Sequence, residues 1–214
     1  MTLKLPARRF AGYIFDCDGT LADSMPLHYH AWRYAFEKHK AKFRFTWELF
    51  YSMAGTGLHD SVRLLNERYD DTLEPLAVAR DQALYLAEHH HTMEPVYDVE
   101  ALARQLHGRG ERIAVASGGS REQVEKTLEV CGLSDLFEVV VTQDDVERSK
   151  PAPDLFLLAA ELLGVKPADC LVFEDSMLGI QAADTAGMAS VYIEPADPDK
   201  IEGVLREPNP AQGA

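Results

Sequence analysis

Ala11-Gly12-Tyr13-Ile14-Phe15-Asp16-Cys17-Asp18-Gly19-Thr20-Leu21-Ala22-Asp23-Ser24 joins a short apolar run to a cluster of acidic and turn-forming residues. The run Ala11–Phe15 reads as a buried strand, and Gly19 permits the turn that follows it. Similar apolar runs recur at Ile113–Ala116, Val139–Val141, Leu171–Phe173 and Ala189–Ile193. Between them lie segments of helical period: Val99–His107 after Asp98, Arg121–Cys131 after Ser120, Asp154–Leu163, and Leu178–Ala186. Gly108, Gly132, Gly164 and Gly187 stand where such helices should stop. Strand and helix alternate, which predicts an α/β fold: a Rossmann-like parallel sheet with helices on both faces. In such a fold functional residues gather beyond the carboxyl ends of the strands.

One part breaks the alternation. From about Ser24 to Met93 no strand is evident, but amphipathic stretches occur at His28–His39, Asp60–Arg68 and Pro75–His90. The predicted organisation is therefore a core of residues 1–23 plus 94–214 and an all-helical insertion, residues 24–93, placed as a lid over the first strand's end. The two crossings between them are candidate hinges. The polar, Pro-containing end Glu207–Ala214 reads as a loose tail.

Composition narrows the function. The 214 residues are 46% hydrophobic and 26% charged, which suits a folded domain with a sizeable core. Lys and Arg number 21 against 35 Asp and Glu, a net charge of −14 that repels nucleic acid. No run reaches the roughly 18 apolar residues of a membrane span, and the start MTLKLPARRF lacks the apolar centre of a secretory signal. Cys17, Cys131 and Cys170 are far apart, without metal-type spacing, and suit a reducing compartment. The expectation is a cytoplasmic protein with no nucleic-acid or membrane partner; the oligomeric state is left open.

Four strand ends carry the candidate chemistry. The first presents Asp16 and Asp18, two carboxylates two positions apart. The second presents Ser117-Gly118-Gly119-Ser120 at a helix start, a hydroxyl with backbone amides suited to an anion. The third leads to Ser149-Lys150-Pro151, and the fourth to Glu174-Asp175-Ser176. Taken singly, these read as capping residues or a solvated lysine. Together they supply what phosphoryl transfer needs: a nucleophile, an acid/base, a hydroxyl and a cation for phosphate oxygens, and carboxylates for magnesium.

FDCDGTLADS (15–24), VASGGS (115–120), SKPAPDLF (149–156) and FEDSMLGIQAADTAGM (173–188) resemble, in order, the four motifs of the haloacid dehalogenase superfamily, close to its beta-phosphoglucomutase-like sugar phosphatases. The resemblance implies a helical cap, magnesium, and a phosphoaspartyl intermediate. By matching position Asp16 is the implied nucleophile and Asp18 the acid/base. Asp16, the main-chain carbonyl of Asp18, and Asp175 are the implied metal ligands, with Glu174 adjacent or acting through water. Ser117 and Lys150 would bind the phosphoryl group, helped by amides near Cys17, Asp18 and Gly118.

Within the superfamily, Asp18 speaks against dehalogenases, which lack the second carboxylate. The Gly55-Thr56-Gly57-Leu58 loop has no lysine for the imine of phosphonoacetaldehyde hydrolases, and it places Leu58 where mutases keep a phosphate-gripping arginine. His28 matches a histidine of the mutase hinge, where sugar phosphatases carry a polar residue or a histidine, and His28 and Arg80 are candidate substrate contacts. The expected function is a magnesium-dependent phosphatase for a small phosphate ester, a sugar phosphate. The alternatives are a phosphosugar mutase and a catalytically silent binding module. His89-His90-His91 reads as a solvated helix end, and Trp32 and Trp47 as cap core.

Overall fold

The computed structural model describes residues 6, 8–53 and 58–194. The loop at 55–57 and the tail Glu207–Ala214 lie outside them. Five strands, β1 (Gly12–Phe15), β2 (Arg112–Ala116), β3 (Val139–Val141), β4 (Cys170–Glu174) and β5 (Ala189–Tyr192), form one parallel sheet in the order β3-β2-β1-β4-β5. Phe15 is in register with Val115 on one side and Phe173 on the other. Strand order reverses direction at β1, so the crevice at its carboxyl end is the topological switch point where ligands of such sheets bind.

Side chains alternate across the sheet, as the two-residue period requires. Tyr13, Phe15, Ile113, Val115, Leu171 and Phe173 pack with Val99, Ala103 and Leu106 of α5 (Tyr97–Gly108) and with Val124 and Leu128 of α6 (Arg121–Val130). Ile14, Ala114, Ala116, Val141 and Val172 pack on the other face against Leu155, Phe156 and Ala159 of α7 (Asp154–Leu163) and Ala182 and Ala183 of α8 (Met177–Thr185).

Between β1 and α5 lie α1 (Met25–Lys38), α2 (Trp47–Ser52), α3 (Leu58–Tyr69) and α4 (Pro75–His89). They have an apolar centre of their own: Trp32, Phe36, Phe45, Leu49, Phe50, Val62, Leu65 and Val78. Trp47 packs against it, half-buried. The two crossings into this insertion are tied to each other: Asp23 N–H donates to Glu94 O at 2.8 Å and Val96 N–H to Leu21 O at 2.9 Å.

Local structure differs from the sequence reading in four places. Helix α2 carries no apolar periodicity, because Trp47, Leu49, Phe50 and Tyr51 crowd one short segment; Thr46 starts it by accepting the Leu49 N–H at 3.2 Å. Helix α5 begins at Tyr97, with Asp98 inside its first turn rather than capping it. Its end needs no glycine at 108, since the left-handed residue is Gly110 at φ +69°. The histidine run is not a wholly solvated end: His91 is exposed, but His89 stacks on Tyr85 with ring centroids 4.1 Å apart, and His90 Nε2 lies 3.3 Å from Thr127 Oγ1 in the core.

Candidate active site

Asp16 follows β1 directly and is buried, and Glu174 ends β4, the neighbouring strand, with Asp175 next in sequence. One carboxylate oxygen from each of these three residues lies within 4.8 Å of the others. Lys150 reaches this cluster from the loop after β3. Its Nζ donates to Asp16 Oδ1 at 2.5 Å and to Glu174 Oε2 at 2.6 Å. Glu174 is held from the other side by the Ser176 amide at 3.0 Å and the Ser176 hydroxyl at 2.6 Å, both donating to Oε1.

Charge balance is the main electrostatic feature. Among the described residues three buried carboxylates face one ammonium, so full ionisation would leave two negative charges uncompensated. Burial, then the Glu174 charge, pushes Asp16 up to about 7 against the pull of Lys150. Burial and the charges of Asp16 and Glu174 push Asp175 up to about 9. Lys150 is held firmly protonated: burial works against its charge, but Asp16 and Glu174 outweigh it. Hard oxygen donors with two uncompensated charges are the chemistry of a site for a divalent cation such as Mg²⁺. The residues present therefore fit a metal ion.

Two glycines make room for this arrangement. A Cβ on Gly19, whose φ is +81°, would sit 2.2 Å from Asp175 Oδ2; one on Gly179 would sit 2.0 Å from Glu174 Cδ. Neither glycine was singled out as a site residue from sequence, although Gly19 was legible as a turn.

Asp18 stands apart from the metal-type cluster. Its side chain is about one-third exposed; Oδ1 accepts the Ser24 hydroxyl at 2.7 Å and lies 3.7 Å from His28 Nε2 in the first turn of α1. Burial pushes its carboxyl up, but the contacts with His28 and Ser24 outweigh that and hold it below the usual range. Ser24 precedes α1 without capping it and serves Asp18 instead, a role no sequence pattern marks.

Ser117 is buried at the end of β2, and its Oγ accepts the Gly119 N–H at 3.1 Å, leaving its own proton to donate elsewhere. Gly119 adjoins Asp18: a Cβ there would lie 3.8 Å from Asp18 Oδ2. A Cβ on Gly118 would lie 3.3 Å from Ser149 Oγ, beside Lys150 in sequence. Ser120 caps α6 by accepting the Gln123 N–H, with the reciprocal contact also present.

Arg80 is not brought to this cluster. It is exposed on α4 with Nε 3.4 Å from Asp81, which also binds Lys38 at 3.1 Å and His39 at 2.9 Å. Those partners sit at the far end of α1, about 20 Å along the helix from Ser24 at 1.5 Å per residue. Leu58, the first residue of α3, is an exposed apolar side chain. Cys17 is buried, and burial pushes its thiol well above the ordinary range, which disfavours the thiolate. Among the described residues no helix is long and apolar enough to cross a membrane.

A parallel α/β sheet thus carries an acidic, lysine-containing site at its switch point, with a helical insertion following its first strand. The family model for haloacid dehalogenase-like hydrolases matches residues 13–193, and the chain belongs to this family. By class it is a phosphoric monoester hydrolase. It is similar to the fructose-1-phosphate phosphatase of Escherichia coli, 36% identical over 186 residues that cover 86% of this chain and 97% of the relative. It is also similar to the phosphorylated carbohydrates phosphatase of Thermotoga maritima, at 28% identity over 84% of this chain and 82% of the relative. Among solved structures, a mutant of CbbY from Rhodobacter sphaeroides in complex with xylulose 1,5-bisphosphate aligns with a TM-score of 0.72 and 25% identity, covering 90% of this chain and 89% of that one.

Proposed function

We propose that the protein is a magnesium-dependent phosphatase that hydrolyses a small phosphorylated metabolite, a sugar phosphate, through a phosphoaspartyl intermediate on Asp16. The observation that carries this reading is the buried trio Asp16, Glu174 and Asp175 facing Lys150 at the switch point. The phosphatase relatives, whose names specify phosphorylated sugars, support the substrate class.

Asp16, Asp175 and the main-chain carbonyl of Asp18 would hold Mg²⁺, with Glu174 beside them. When bound, the ion supplies positive charge for the phosphoryl oxygens and the attacking carboxylate. Asp16 attacks phosphorus, forming its P–O bond as the bond from phosphorus to the ester oxygen breaks. Asp18 gives that oxygen a proton, so the leaving group departs as a neutral alcohol. In the free protein Asp18 rests ionised; a phosphate ester arriving beside it adds negative charge and pushes it toward the protonated form that this step needs. Asp18, now a carboxylate, then takes a proton from water as the water attacks phosphorus, which releases phosphate and restores Asp16. Lys150 offsets charge at the reacting group, the Ser117 hydroxyl donates to a phosphoryl oxygen, and the amides of Gly118 and Gly119 add fixed dipoles. His28 and Ser24 orient Asp18.

Residues 24–93 act as the cap and residues 1–23 with 94–214 as the core, the paired crossings at Asp23–Glu94 and Leu21–Val96 forming the hinge. Cap closure excludes bulk water from the intermediate. The setting is the cytoplasm, where the buried cysteines stay reduced.

The test is phosphate release from a panel of sugar phosphates, with and without Mg²⁺, for wild type and Asp16→Asn. Release that needs both the ion and Asp16 is expected. Release that persists in Asp16→Asn overturns the mechanism. Conversion of beta-glucose 1-phosphate to glucose 6-phosphate in the presence of a bisphosphate primer, without net phosphate release, replaces it with a mutase.

A further inference from the structure

Tyr51 is the penultimate residue of α2. Its ring is fixed edge-on against Trp47, with centroids 4.8 Å apart, and against Phe50 at 5.5 Å, so the hydroxyl has one direction in which to point. That hydroxyl is buried and, among the described residues, has no hydrogen-bond partner. The groups whose charge reaches it belong to the core rather than the insertion: Asp175 of the acidic cluster, Tyr192 at the end of β5, and Asp23 at the hinge. Tyr192 is half-exposed and pairs in register with Glu174, and it too feels Asp175. The hydroxyl is thus within electrostatic reach of Asp175, Tyr192 and Asp23 of the core.

A buried hydroxyl without a partner is unfavourable, and a rigid aromatic scaffold around it prevents relief by rotation. In this packing no described protein group satisfies the Tyr51 hydroxyl. A polyhydroxylated molecule held between α2 and the ends of β4 and β5 would do so. We propose that Tyr51 is a specificity-determining residue, its hydroxyl hydrogen-bonding a hydroxyl of the sugar portion of the phosphate ester when the insertion closes over it. This assignment rests on the phosphatase reading above.

Tyr51→Phe removes one oxygen and keeps the ring packing. Fructose 1-phosphate and p-nitrophenyl phosphate, an ester with no sugar hydroxyls, are compared in wild type and variant, together with thermal melts. For fructose 1-phosphate the KM is expected to rise about tenfold with kcat nearly unchanged, the effect of one lost neutral hydrogen bond. For p-nitrophenyl phosphate kcat/KM stays the same, and the melting temperature is unchanged or higher because no internal bond is lost. Equal effects on both esters, no effect on either, or a lowered melting temperature overturn the assignment while leaving the phosphatase reading intact. A wild type that releases phosphate from neither ester overturns that reading, and the assignment with it.

Discussion

Replacing Gly179 with alanine tests the packing of the acidic cluster through a residue that carries no chemistry. The new Cβ would lie 2.0 Å from Glu174 Cδ, 2.2 Å from Oε2 and 2.4 Å from Cγ, so the buried carboxylate must leave its position. It cannot turn aside cheaply, because Oε1 is held by Ser176 and Oε2 by Lys150. Breaking a buried ion pair of this kind costs about 3–5 kcal/mol. The better helix propensity of alanine returns about 1 kcal/mol. The expected net loss is about 2–4 kcal/mol, which for a chain of this size lowers the melting temperature by roughly 5–15 °C. Phosphatase activity is expected to fall at least about tenfold, since Lys150 loses one of the two carboxylates that orient it. Gly108→Ala is the control: it ends α5 with nothing within 4 Å of an added Cβ, and its effect stays within about 1 kcal/mol. Paired thermal melts and phosphate-release assays read both variants. A Gly179→Ala protein as stable and active as wild type would refute the account of how Glu174 is held.

Three further outcomes are expected. Ser24→Ala removes the hydroxyl that holds Asp18 low, so the limb of the kcat–pH profile governed by Asp18 moves to higher pH; an unmoved profile detaches Asp18 from that limb. With divalent ions chelated, stability falls as pH rises from about 4 toward 9. Asp16, raised to about 7, and Asp175, raised to about 9, bind protons more strongly folded than unfolded, so the stability present below the unfolded carboxylate range is lost through that window. Mg²⁺ should reverse the decline, raising the melting temperature by several degrees more at pH 8.5 than at pH 5, and melts that ignore both pH and metal would contradict it. Arg80→Ala should leave KM for a sugar phosphate within about twofold, because the guanidinium lies by Asp81 at the distal end of α1; a larger rise would bring Arg80 back to the substrate.

Much of the architecture could be read before any coordinates because parallel strands buried on both faces are short apolar runs, and each of the five lies within a residue or so of where its run does. Helix α7 was legible to the residue, since Pro153 and Gly164 bracket a clean period. Helix α2 was not, for its aromatic residues pack against the insertion's core from several directions and leave no stripe; Thr46 followed by Glu48 was the available signal. The polar residues at the strand ends were visible as candidates because the topology of a parallel sheet puts those ends together, and the structure gathers Asp16, Lys150, Glu174 and Asp175. Ser24, Gly19 and Gly179 escaped notice beside the acidic cluster and Asp18. Their importance lies in distances across the fold, a hydroxyl 2.7 Å from Asp18 or a missing Cβ beside Glu174, and sequence spacing carries no trace of these. The position of Arg80 beside Asp81 was not legible for the same reason: helical period fixes the face of a residue but not which end of the neighbouring helix it meets.

In the proposed mechanism the phosphoryl group passes through Asp16 on its way to water. The most direct measurement is the stereochemical course at phosphorus, followed with a thiophosphate ester made chiral by oxygen isotopes and hydrolysed in labelled water. Two in-line displacements, the first by Asp16 and the second by water, give retention of configuration, and retention is the result expected. Inversion would mean a single direct attack by water and would contradict the account.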